Sequence, residues 1–267
     1  MNQFPVFLGV LRYEFRMQIR RPALWITMLL FTLLIVGVGG GVGSGVGGSV
    51  LRGEIVRRSA SEPLLPILVQ WAFRINTFFP IAVGVLLADR LPRDRRTKTE
   101  ELFATAPGAL SARLLGKYCG SLLATLIPVF IVYALGVGLI AYGAQNALAI
   151  PLSLAPFAVI NLPGILFVSA FSIACTSIMW TPLFQFLFVG YWFWGNLLGT
   201  RFGIPTLSGT ILTPIGGYMA SGIFGEPFIQ LGATAMQGVE SIILLLASAA
   251  LVMSTLWGLL KWQQARQ

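Results

Sequence analysis

Nine charged side chains fall between Asp89 and Glu101: Asp89, Arg90, Arg93, Asp94, Arg95, Arg96, Lys98, Glu100 and Glu101. That is a third of the charge in a chain with 18 basic and 9 acidic residues. Five are positive and four negative, so the run suits charge-assisted pairing between facing helices or with a partner protein. A patch built only to hold lipid headgroups would be a block of Lys and Arg. Catalysis has little to draw on. The chain has no histidine, which removes the commonest general base and the commonest metal ligand. There is no H-E-x-x-H, no close acidic pair in an apolar run, and nothing to activate a serine. Cys119 and Cys175 lie inside apolar runs and read as buried thiols, not as a disulfide or metal site. The glycine-rich stretch 37–50, GVGGGVGSGVGGSV, lacks the Lys of a phosphate loop and reads as a turn or linker.

The elements that must position this island are apolar. Of 267 residues, 56% are hydrophobic and 10% charged, against about 25% charged in a soluble domain. Apolar runs of about 20 residues recur, the length needed to cross a bilayer as a helix. They do not alternate as barrel strands would. The fold class is therefore an all-α membrane protein. Six spans are expected, at roughly 23–42, 65–88, 115–142, 155–180, 183–199 and 239–260. The segment 200–238 is apolar but rich in Gly, Pro and Thr, and reads as a broken re-entrant pair on the outer side. The stretch after Arg20-Arg21-Pro22 shows no cleavage signal and is taken as a retained span.

Residues 1–22 form a separate unit. Phe4, Phe7, Leu8, Leu11 and Phe15 make one stripe at helical spacing, with Arg12, Arg16 and Arg20 every fourth residue beside it. Such a helix lies at the membrane interface with its stripe in the headgroup boundary. The net charge of +9 then concerns orientation and membrane lipids rather than nucleic acid. With the N-terminus inside, thirteen Lys and Arg fall on the inner side and four on the outer. That distribution puts both termini in the cytoplasm of a multi-pass protein of the inner (plasma) membrane. Within or near the spans, Arg74 has Gln70 and Asn76 close by, and Glu226 and Glu240 lie towards the outer interface. Tyr191, Trp192 and Trp194 read as an outer aromatic belt.

After the island, TEELFATAP continues with Leu102 and Phe103 and breaks at Ala106-Pro107-Gly108. Arg95, Arg96, Thr99, Glu101, Leu102, Ala104-Thr105-Ala106-Pro107 and Gly116-Lys117 resemble, in that order, the cytosolic segment of ABC type-2 transporter permeases. The basic helix ending in Arg20-Arg21-Pro22 resembles the family's elbow helix. In the charged run, Thr97-Lys98-Thr99 replaces the family's usual acid–base alternation around a Gly-Thr step.

The resemblance implies the permease subunit of an ATP-driven ABC exporter, with a six-span domain over 23–267 and a coupling segment over 89–113. Cytosolic ABC ATPase subunits would bind ATP and Mg; this chain would carry no cofactor, metal or catalytic residue. Two permease copies, or this chain and a related one, would pair around a pathway. Docking would fall to Arg93, Asp94, Arg95, Arg96, Thr99, Glu100, Glu101 and Phe103, with Arg16 and Arg20 of the elbow. Gln70, Arg74, Asn76, Gln185, Tyr191 and Asn196 are the candidates to line the pathway. An ATP-independent channel or carrier, or an intramembrane enzyme, are the alternatives.

Overall fold

In the computed structural model, the described residues are 3–38, 63–96, 109–197, 206–226 and 232–266, with the side chains of 36–38, 94–96 and 197 excepted. All regular structure among them is helical. Helix α1 runs Phe4–Ile19 and α2 runs Pro22–Val38, bent by 60° at the break. The bend has a local cause. Pro22 opens α2 and has no N–H to continue the ladder, while the Trp25 indole caps α1 by donating to the Ile19 carbonyl at 2.8 Å.

The central element is α3, Leu64–Leu87, which runs through a two-residue turn into α4, Arg90–Arg96. Then come α5, Leu110–Ala144, and α6, Ala149–Cys175, which is continuous but widened to a π turn at Phe157–Asn161. Pro163 accounts for the widening: it cannot donate to Val159, and its ring would crowd that carbonyl in a regular turn. Helix α7, Thr181–Trp192, also ends in a π turn, Phe193–Leu197. A short α8, Gly217–Phe224, precedes α9, Ala235–Gln264. Thr234 and Gln237 form a reciprocal capping box at the start of α9.

Helix α3 contacts α2, α5, α6, α7 and α8. Its buried face runs from Ile67 through Ile75 and Phe79 to Leu87. Trp71 fits over Gly136 of α5 and donates its indole N–H to the Tyr133 carbonyl at 3.0 Å. Phe188 of α7 packs on Gly84.

Four helical stretches are long and apolar enough to cross a membrane: Leu64–Arg93, Leu110–Ala144, Ala149–Cys175 and Ala235–Gln264. The bent pair α1–α2, taken as one, makes five. The sequence suggested six. Of the other two, 23–42 is described only as far as Val38, in the 17 residues of Pro22–Val38, with 39–62 outside the described residues. The stretch 183–199 becomes Thr181–Leu197, helical to the edge of what is described. Each is followed for about 25 Å at 1.5 Å per residue, up to the edge of the described residues.

Candidate functional site: a buried polar joint between the elbow, α4 and α5

Helix α5 has 35 residues and is about 52 Å long. That exceeds the hydrocarbon layer by about 20 Å, so several of its turns project beyond it. Its first turns carry α1. The two helices run side by side in the same direction. The Ala109 amide donates to Gln3 Oε1 at 2.9 Å. Gly116 faces Phe7 and Val10, and Gly120 faces Leu11 and Glu14. A Cβ on Gly120 would lie 2.6 Å from the Leu11 carbonyl oxygen and 2.8 Å from Glu14 Cβ. Small residues four apart let the helix backbones approach closely.

This contact corrects the expected stripe on α1. Phe4 and Leu8 are exposed, and Phe7, Leu11 and Phe15 are only half-buried. The fully buried positions are Glu14 and Gln18. A polar face is buried because it has a partner. The Arg90 guanidinium, itself 2% exposed, pairs with the Glu14 carboxylate through Nη2. Arg90 Nη1 donates to Gln18 Oε1 at 2.8 Å, and Arg21 Nη1 reaches the same oxygen at 3.4 Å. Lys117, one turn before Gly120, lies within electrostatic reach of both Glu14 and Arg90. An uncompensated charge would be costly here; paired and hydrogen-bonded it is tolerated. The joint fastens α1 to the C-terminal end of α3, to α4 and to α5 at once.

Of the proposed docking residues, Arg16, Arg20 and Arg93 are exposed. Asp94, Arg95 and Arg96 lie on the α4 backbone. Thr99, Glu100, Glu101 and Phe103 fall outside the described residues. Glu14 and Gln18 were not singled out in the sequence, and Arg90 figured only as one charge of the island. The available signal was that Glu14 is the sole acid in the first 53 residues.

The six lining candidates do not converge. Asn76 is fully buried and donates to the carbonyls of Pro214 and Ile215, each at 2.8 Å. Asn196 accepts from the Thr213 hydroxyl at 3.1 Å. Both thus clasp the turn that leads into α8. That turn needs Gly216, whose φ of +89° is a conformation L side chains rarely adopt. Gly164 admits the clasp: a Cβ there would sit 2.5 Å from the Pro214 oxygen. Gln185 donates to the Val85 carbonyl at 3.0 Å. One group of each of these three amides is taken up by a packing contact, while Asn76 Oδ1 is buried with no hydrogen-bond partner. Gln70 and Arg74 share one half-buried face of α3, and Tyr191 is exposed. Glu226, in the loop after α8, is buried, and that burial pushes its carboxyl up from the ordinary range.

Among the described residues no three His, Cys, Asp or Glu side chains gather as a metal site would require. No family model and no curated protein matches the chain.

Proposed function

We propose that this chain is the permease half of an ATP-driven ABC exporter, energised by a separate cytosolic ATPase. The buried joint Glu14–Arg90–Gln18 carries the reading. A protein that hydrolyses no nucleotide must receive work mechanically, and a loose contact transmits no differential energy between two states. The joint makes the elbow, α4 and the inner ends of α3 and α5 one stiff body. Exposed Arg16, Arg20 and Arg93 lie on that body, and the α4 backbone carries Asp94, Arg95 and Arg96 beside them. An ATPase docked there would tilt α3 and α5 together.

In this reading α2, α3, α5, α6, α7 and α9 are the six crossings, both termini are cytoplasmic, and α8 with its flanking turns is the outer re-entrant piece. A second copy or a related permease completes the pathway, and ATP and Mg reside on the partner.

The test is charge reversal of Arg95 and Arg96 to Glu in the full chain, co-expressed with a Walker-containing ATPase encoded beside it. Loss of co-purification with unchanged helicity is expected. An undiminished complex would remove the docking assignment. Solute flux in vesicles containing this chain alone would favour an unpowered channel or carrier instead, and lipid turnover by the purified chain an intramembrane enzyme.

A further inference from the structure

Arg74 is the charged side chain set deepest in a described span. It lies about 15 Å along α3 from Leu64 and about 2 Å from the helix midpoint. Lys117 and Glu240 sit within the first eight residues of their helices. Arg74 is half-buried, and its Nη1 is shielded from solvent with no hydrogen-bond partner. Arg90 shows what the same group does when the chain supplies a counter-charge: it takes Glu14 and Gln18. Among the described residues no carboxylate plays that part for Arg74. Intramembrane charges without an internal partner mark ligand and ion paths.

The surroundings narrow the ligand. Gln70 lies one turn away on the same half-buried face. Phe73 and Phe78 are the half-buried apolar side chains on this stretch of α3 beside Gln70 and Arg74. What adjoins the guanidinium along the helix is therefore apolar ring surface. A guanidinium presents a planar fork matched to two oxygens of a carboxylate or phosphate, and the Gln70 amide can donate to a third contact.

We propose that Arg74, with Gln70, binds the oxyanion of an anionic amphiphile, a phosphate or carboxylate head whose hydrocarbon part stays against the apolar walls beside α3. The reading of that amphiphile as transported cargo rests on the permease proposal. The binding does not.

The full chain in neutral maltoside micelles is titrated with dodecyl phosphate, with laurate, and with inorganic phosphate, following tryptophan fluorescence and the bound stoichiometry by native mass spectrometry. One saturable dodecyl phosphate or laurate per chain is expected. The dissociation constant should rise at least tenfold in Arg74→Gln and only a few-fold in Arg74→Lys. Gln70→Leu should weaken binding less than Arg74→Gln. Non-saturable uptake by the unaltered chain overturns the proposal without recourse to any variant, as does equal affinity in a folded Arg74→Gln or Arg74→Lys weakened no less than Gln. Inorganic phosphate that competes at the same concentration as the amphiphile overturns the amphiphile assignment. Failure of ATPase co-purification alongside Arg74-dependent binding would strike the permease proposal alone.

Discussion

Glu14 and Arg90, 76 residues apart in the chain, form an ion pair shielded from solvent on both sides. The Glu14 carboxylate is in direct contact with the Arg90 guanidinium, and Gln18 fills one further donor position of that group. The elbow helix therefore cannot leave its seat without stranding a cation.

Removing one partner should cost far more than removing both. Glu14→Ala is expected to destabilise the protein by about 3–5 kcal/mol, the usual penalty for an orphaned buried charge. The double variant Glu14→Leu, Arg90→Met should recover part of that loss. Thermal unfolding in detergent, run as a double-mutant cycle, reads the coupling; strictly additive losses would show that the two side chains do not interact.

The glycine seat should be equally intolerant. Gly120→Leu forces a side chain into space held by the Leu11 carbonyl and Glu14 Cβ, and overpacking of this kind costs about 1–3 kcal/mol. The expected result is release of α1 from α5, seen as faster tryptic cleavage after Arg12, Arg16 and Arg20. Cleavage at the unaltered rate would mean that the elbow is held by something other than this contact.

The clasp on the turn before α8 makes a third prediction. Asn76→Leu deletes two hydrogen bonds and leaves the Pro214 and Ile215 carbonyls buried without their donor, at about 1–3 kcal/mol for each group. Helix α8 should then loosen. A cysteine introduced by Ser221→Cys, at a buried position, should react with an impermeant maleimide several times faster in the Asn76→Leu background. Equal rates would show that α8 holds its place unaided.

Much of the frame was legible from hydropathy, because an apolar run of fixed length has few structural options in a bilayer. Helix α3 matches the run expected at 65–88 to within one residue at each end, and α9 encloses the one expected at 239–260. The interruption of helix before α9 was legible from Gly and Pro, and the turn into α8 does hinge on Gly216. What periodicity could not supply was the partner of each polar group. Glu14 sat beside an apolar stripe and looked incidental, since its pairing with Arg90 depends on how α1 lies against α5. Asn76 looked like a lining residue because an isolated amide in an apolar run does not reveal whether it faces water or a carbonyl. The start of α5 at Leu110 was missed because Arg113 and Lys117 lower the hydropathy of turns that are helical all the same.

The clasp on α8 also constrains how the protein is made. The acceptors of the Asn76 amide lie 138 and 139 residues downstream, and chains emerge from the ribosome N-terminus first. Throughout that interval α3 must enter the bilayer with an unanswered amide. A nascent polypeptide halted before residue 214 would carry that amide uncovered, a chemical flag by which quality control could tell an unfinished product from a mature one.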